Sequence, residues 1–81
     1  MTYRFAATGR RWFDGANTYH TWIIAGIDDP DFWLTSEQPI YGYGEHWRDT
    51  ALDALRERGI VIKMHEVLWL PAADVGRKTD L

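Results

Sequence analysis

The stretch Ile40-Tyr41-Gly42-Tyr43-Gly44, followed at once by Glu45–Arg58, is where a β-rich first half gives way to a helix. From Trp47 onward, apolar residues recur at the spacing of one helix face, and charged residues occupy the other face. The apolar positions are Trp47, Ala51, Leu52, Ala54 and Leu55. Gly59 follows at the position where a left-handed residue often ends a helix. The pattern therefore predicts one amphipathic helix over residues 45–58, with its apolar face packed against a sheet.

Three β-rich stretches precede this helix. The first begins at residues 3–7, where apolar and polar side chains alternate, and it extends past Gly9 to Phe13. The second, Thr18 to Ile27, is rich in β-branched and aromatic residues, and the turn residues Asp14-Gly15-Ala16-Asn17 lie between the two. A hairpin is the simplest arrangement for this pair. The third stretch, residues 32–35, either ends before Pro39 or resumes through Ile40-Tyr41.

One long alternating stretch, Ile60 to Leu70, follows the helix and ends at Pro71. Residues 71–81 show no periodicity, which is typical of a loose terminal segment. We therefore predict a single α+β domain over residues 1–70, in which an antiparallel β-sheet in the order β-β-β-α-β carries one helix on one face. Residues 71–81 are predicted to form a loose C-terminal tail.

Both faces of the predicted sheet carry apolar side chains. The face that we expect to lie away from the helix holds Trp22, Ile24, Val67 and Trp69. One helix covers only one face of a sheet, and large exposed apolar patches usually mark contact sites. We therefore predict an interface at these four residues, covered by a second copy in a homodimer or by another protein. The alternative is that the loop at residues 36–39 and the C-terminal tail fold over this face.

The composition excludes several classes of protein. The chain has 81 residues, a formal net charge of −3, five tryptophans and no cysteine. Without cysteine there are no disulfides and no thiolate metal ligands, so aromatic packing or oligomerisation must supplement a small core, and the five large tryptophan rings favour aromatic packing. The negative charge has the wrong sign for a general phosphate-backbone binder. No signal-peptide core and no apolar run of about 18 residues is visible, so we expect a cytoplasmic protein without a membrane segment.

The sequence offers little for chemistry. Its histidines, His20, His46 and His65, do not lie at a metal-ligand spacing. The glycine-containing segments Tyr41-Gly42-Tyr43-Gly44 and Asp14-Gly15-Ala16-Asn17 lack the lysine and the glycine spacing of a phosphate loop. Ser36 is the only serine, and it lacks the flanking glycines of a nucleophile elbow. We therefore predict a protein that is not an enzyme and that needs neither a metal ion nor a cofactor.

Three motifs of the chain resemble a known pattern: Arg11-Trp12-Phe13, Asn17-Thr18-Tyr19-His20, and Tyr41-Gly42-Tyr43-Gly44 before a helix. The pattern is similar to that of small uncharacterised proteins of bacteriophages and prophages, over the first two-thirds of the chain. In that pattern a glycine precedes the asparagine, whereas Ala16 does so here. The resemblance implies a phage-type gene that acts in a host cytoplasm. It implies no activity and no catalytic residues.

The first hairpin is the predicted binding surface. Its candidate residues are Arg10, Arg11, Trp12, Asn17, Tyr19 and His20. Arginine, tryptophan and tyrosine dominate binding hot spots, so the surface predicts a protein-interaction module whose partner is a host or phage protein. The alternative is a nucleic-acid-binding hairpin, in which arginines contact phosphates and rings stack on bases. A structural role is also open, since Trp12 and Tyr19 could form a cross-strand pair that fixes the hairpin register.

Overall fold

Two nine-residue strands form the centre of the sheet in the computed structural model, which describes residues 3–81. The elements are β1 (Phe5–Phe13), β2 (Thr18–Gly26), β3 (Trp33–Thr35), β4 (Ile40–Tyr41), α1 (His46–Glu57), β5 (Val67–Trp69) and β6 (Ala73–Val75), with 3-10 turns at Met64–Glu66 and Lys78–Asp80. The α+β class is as predicted. The first two residues of the predicted domain 1–70 lie outside the described part.

The predicted hairpin is formed by β1 and β2, which pair antiparallel from Phe5↔Gly26 to Phe13↔Thr18. One Asp14 carboxylate oxygen accepts hydrogen bonds from the backbone N–H groups of Ala16 and Asn17, at 2.8 and 2.7 Å. Gly15 adopts a φ of 101°, a backbone conformation that residues other than glycine rarely adopt. These hydrogen bonds favour the carboxylate and lower the pKa of Asp14. The turn residues thus fix the hairpin register.

The free edge of β2 pairs with two short strands instead of one long one. β3 pairs with one end of β2 and β4 with the other, both antiparallel. The loop at residues 36–39 spans the gap between them. The third β-rich stretch therefore breaks and resumes through Ile40-Tyr41, one of the two outcomes that the sequence allows.

The other edge of the sheet differs from the prediction. β5 and β6 both run parallel to β1, so the sheet is mixed and not wholly antiparallel. Ala7 pairs with Trp69 and Arg10 with Ala73, so the outer strand holds one more residue than β1 between these pairs. The bulge surrounds Pro71, which has no N–H to donate to the sheet. The direction of β5 follows from α1, which carries the chain across the sheet from β4 to β5.

Two further predictions fail along this edge. The predicted strand over Ile60–Leu70 is reduced to β5, because the chain forms a 3-10 turn at Met64–Glu66 first. The predicted loose tail over residues 71–81 instead contains β6 and a second 3-10 turn. Both segments are held by contacts with residues more than fifty positions earlier, which local periodicity does not reveal.

The helix lies where the sequence places it, one residue shorter at each end. Trp47, Ala51, Leu52 and Leu55 form its buried face, and Gly59 adopts the predicted left-handed φ, at 81°. Trp47 lies directly on β1 at Gly9, where an added Cβ would come within 2.7 Å of the indole ring. Among residues 3–81, no helix is long and apolar enough to cross a membrane.

The core lies between α1 and one face of the sheet, and it contains the predicted interface. Trp22, Ile24 and Val67 are buried in this core, while Trp69 is partly buried and packs edge-to-face on Trp47 with ring centroids 5.5 Å apart. The four residues do share a face, as predicted, but it is the face that the helix covers. The interface prediction was wrong because both faces of β2 are apolar, so alternation alone does not show which face the helix takes.

We expect Gly9→Ala to destabilise the protein by about 1–3 kcal/mol, because the added methyl group overpacks the buried Trp47 ring. Urea unfolding monitored by tryptophan fluorescence measures the change. Gly76→Ala is the matched control: no atom lies within 4 Å of a Cβ at that position, so its free energy of unfolding should stay within about 0.5 kcal/mol of wild type. Equal stabilities for the two variants would show that Trp47 does not rest on Gly9.

Candidate functional site

The sheet face opposite α1, called the open face below, is built by the alternate residues of the hairpin. Residues at odd positions of β1 and even positions of β2 face the helix, so the remaining side chains point away from it. They are Ala6, Thr8, Arg10 and Trp12 on β1, and Tyr19, Thr21, Ile23 and Ala25 on β2. Apart from the exposed Arg10, all of them are half-buried. The chain outside the hairpin therefore covers this face only in part.

Four aromatic rings form a continuous row at one end of the open face, called the aromatic row below. Trp12 stacks on Tyr19 with centroids 5.9 Å apart, Tyr19 meets Tyr41 at 5.8 Å, and Tyr41 meets Tyr43 at 5.5 Å. Strand pairing explains the order, because Tyr19 lies opposite both Trp12 and Tyr41. Tyr41 and Tyr43 are 53% and 55% exposed. The row thus runs from a half-buried stack to two rings that stand in solvent.

The two outer tyrosines of the row also contact each other through their hydroxyl groups, which lie 2.7 Å apart. This hydrogen bond raises the pKa of the Tyr41 hydroxyl, because it stabilises the protonated phenol. The Tyr41 hydroxyl therefore stays neutral near neutral pH. The pair offers a partner two apolar ring edges and a polar rim, the amphipathic character that enriches tyrosine at interfaces.

A groove of about 730 Å³ lies beside the aromatic row in the middle of the open face. Its floor includes Thr8, Arg10, Thr21 and Ile23; one wall is the β3–β4 loop with Glu37 and Pro39, and the other is the C-terminal segment with Lys78, Thr79 and Leu81. The charged side chains among these lining residues are Arg10, Lys78 and Glu37. The loop at residues 36–39 and the C-terminal segment are the predicted alternative to a partner that covers the second sheet face. Both segments do lie over the sheet, but over the open face and not over the face that holds Trp22, Ile24, Val67 and Trp69.

The six predicted binding residues do not form one surface. Arg10, Trp12 and Tyr19 lie together on the open face, whereas Arg11 and His20 face the helix and Asn17 lies in the hairpin turn. The physical reason is the alternation of side chains along a strand, which sends neighbours to opposite faces. Arg10 and Arg11 are adjacent in the sequence but separated by the sheet.

Arg11 holds the fold together at the start of the helix. Its Nε donates to an Asp74 carboxylate oxygen at 2.9 Å, and one of its terminal nitrogens donates to the Gly44 carbonyl at 3.1 Å. The same nitrogen lies 3.6 Å from a Glu45 carboxylate oxygen. One guanidinium thus ties β1 to β6 and to the residues that precede α1. Its donors point to β6 and to the residues before α1, and not to the open face, so Arg11 is not part of the candidate site.

His20 is the buried polar residue of the core, with 1% of its surface exposed. Its Nε2 lies 2.9 Å from the Thr50 hydroxyl, which donates to the Trp47 carbonyl, so Nε2 is the ring donor. Nδ1 has no hydrogen-bond partner within residues 3–81. Burial lowers the pKa of His20, the backbone of Gly42 opposes this in part, and His46 lowers it further. His20 is enclosed and neutral, which removes it from the binding surface.

The other two histidines do not complete a metal site with His20. The His46 ring lies edge-to-face with His20, centroids 5.8 Å apart, and its Nδ1 is 3.6 Å from an Asp49 carboxylate oxygen. His65 is exposed in the 3-10 turn before β5. In the part of the chain that the structure describes, no group of three or more His, Asp or Glu side chains could hold a metal ion.

Tyr41 and Tyr43 are the site residues that sequence reasoning missed. In the sequence, the Tyr-Gly-Tyr-Gly stretch serves as the start of the helix and as a motif of the resemblance, and not as part of the predicted binding surface. The available signal is the spacing of two residues, which places both rings on one side of an extended chain. Comparisons with protein-family models, with curated proteins and with solved structures found no significant match to this chain.

The buried His20 makes stability depend on pH. In the unfolded chain, histidine takes up a proton below about pH 6.5, whereas folded His20 resists protonation until a lower pH. Its contribution is therefore complete above about pH 6.5 and is lost as the pH falls toward the folded pKa, with a slope of at most about 1.4 kcal/mol per pH unit. Urea unfolding at a series of pH values between 7 and 5 should show this slope.

The slope should be absent in His20→Gln, which has no titrating ring at this position. His65→Gln is the control, because its exposed side chain is remote from the helix–sheet contact, and it should keep the wild-type slope. A wild-type slope that persists in His20→Gln would assign the pH dependence to another group.

Proposed function

We propose that this protein is a small, non-enzymatic interaction module that acts in the cytoplasm and binds another protein through the aromatic row. The resemblance to phage and prophage proteins favours a host or phage protein as the partner. The partner's contacts would centre on Trp12, Tyr19, Tyr41 and Tyr43, with Arg10 nearby.

The observation that carries the proposal is a contiguous aromatic row, exposed at its Tyr41 and Tyr43 end, that lies outside a core already filled. The space between α1 and the sheet is occupied by large side chains, among them Trp22, Ile24, Trp47 and Leu55, all buried. Tyr41 and Tyr43 contribute little to that core, since more than half of each is exposed. Single exposed apolar residues need no explanation, but a contiguous row of the residue types found in hot spots favours a binding surface.

A second copy of the chain is one candidate partner. A homodimer formed through the aromatic row would bury the same rings on both subunits, as an isologous interface requires. Sedimentation of the wild-type chain at micromolar concentration distinguishes this partner from a foreign one. A dimer that dissociates when the row is altered would identify the partner as a second copy.

Nucleic acid is the second candidate ligand, because Lys78 lines a cavity together with Trp12 and Tyr19. A cation beside stacked rings is typical of single-strand binding. Asp14 lines the same cavity, however, and Glu37 faces Arg10 across the groove. These carboxylates and the net charge of −3 oppose a polyanion, so a protein partner is favoured.

The test compares the capture of binding partners from a bacterial lysate by wild type and by the double variant Tyr41→Ser with Tyr43→Ser. Losing two hot-spot rings should weaken capture about tenfold or more. The variant should melt close to wild type, because both rings are largely exposed. Val61→Ser is the matched control: its side chain is 89% exposed and lies outside the aromatic row, so capture should not change.

Equal capture by the folded double variant and by wild type would contradict the proposal. Repeating the capture over a salt series separates the two ligand classes. Binding to nucleic acid falls steeply as salt increases, whereas binding through apolar rings does not.

A further inference from the structure

The C-terminal residues 77–81, called the strap below, lie across the open face and form one wall of the groove. Lys78, Thr79 and Leu81 line the groove together with Arg10 on its floor. Lys78 also lines the neighbouring cavity over Trp12 and Tyr19. Pro39 of the β3–β4 loop also lines both cavities, so the strap and this loop together separate the groove from the aromatic row on the same sheet face.

The strap is lightly attached. A terminal nitrogen of Arg10 donates to the Asp80 carbonyl at 3.0 Å, and within residues 3–81 this is the side-chain hydrogen bond that joins the strap to the sheet. The remaining hydrogen bonds of the strap are internal, from Arg77 to the Asp80 carboxylate and between backbone groups of the 3-10 turn. No residue of that turn is buried. Segments with few buried contacts open at low free-energy cost.

The residues just before the strap are anchored much more firmly. β6 pairs with β1 from Arg10↔Ala73 to Trp12↔Val75, and Asp74 forms the 2.9 Å ion pair with Arg11 on the helix side. Gly76 connects this anchor to the strap, and no atom lies within 4 Å of where its Cβ would be. Because glycine tolerates more backbone conformations than other residues, a change of direction at Gly76 need not disturb β6.

We propose that the strap is a displaceable cover of the binding surface, held closed by Arg10, which opens when the partner docks. This inference rests on the proposed function. Opening removes Lys78 from between the groove and the aromatic row, which leaves only Pro39 shared by the two cavities. The strap shows what this part of the open face accepts: a short segment that places an aliphatic side chain where Leu81 now lines the groove. The partner supplies such a segment, and the strap competes with it.

Removing a hot-spot residue weakens partner binding, whereas removing Arg10 should strengthen it, because Arg10 holds the strap closed. This difference makes the proposal testable in the full chain. In Arg10→Ala, the strap loses its hydrogen bond to the sheet. We expect the backbone order parameters of Thr79–Leu81, measured by NMR relaxation, to fall from the value of rigid backbone, about 0.85, to below about 0.6. The order parameters of β6 should not change.

The same variant should capture at least twice as much partner from lysate as wild type, because the competing strap no longer closes the groove. Lys63→Ala removes an exposed cation elsewhere and is the control for the change of charge. Its order parameters and capture should equal those of wild type.

Each other outcome overturns part or all of the scheme. A strap that stays rigid in Arg10→Ala rejects Arg10 as its latch. A mobile strap with unchanged or reduced capture rejects the competition, and reduced capture assigns Arg10 to the partner contact instead. If neither wild type nor Arg10→Ala captures a protein that depends on Tyr41 and Tyr43, the proposed function fails and the strap proposal fails with it.

Discussion

The contact between the Trp47 ring and the backbone of Gly9 determines how the rest of the molecule is arranged. A side chain at position 9 would hold the indole away from the sheet, since even a Cβ would come within 2.7 Å of it. The buried ring is also held from its sides: Nε1 donates to Glu45 at 3.1 Å, Trp69 packs against its edge, and the Arg48 guanidinium lies 5.7 Å above it. Gly9 therefore selects the face of the sheet on which the helix lies.

Because the helix covers one face of the sheet, short segments of the chain must cover the other face. Within residues 3–81, α1 is the one α-helix, and it already lies on the first of these faces. The β3–β4 loop and the strap cover the middle of the open face, and they leave a groove between them. At one end the aromatic row remains exposed. The candidate site is thus a consequence of having two sheet faces and one helix, and its location follows from which face Gly9 offers to Trp47.

Local periodicity predicts the helix and the hairpin because both depend on neighbours in the sequence. The spacing of the apolar residues from Trp47 to Leu55 locates α1 to within one residue at each end, and the turn residues from Asp14 to Asn17 locate the hairpin. The face that the helix covers was not predictable in this way, because β2 is apolar on both sides. The pattern over Ile60–Leu70 was misleading for a related reason: Ile62 is buried although it lies outside any strand.

Long-range contacts explain the remaining failures, and the neighbours Arg10 and Arg11 illustrate why. Both are arginines on one strand, yet Arg11 ties β6 and the start of the helix together, whereas Arg10 reaches the strap on the opposite face. Their partners in the C-terminal segment, Asp80 and Asp74, lie 70 and 63 residues later in the chain, where the sequence shows no periodicity. Reversing both charges at once would therefore damage the fold through Arg11 and the open face through Arg10. A binding role for this hairpin has to be examined one face at a time, because Arg10, Trp12 and Tyr19 lie on the open face whereas Arg11 and His20 lie on the side of the helix.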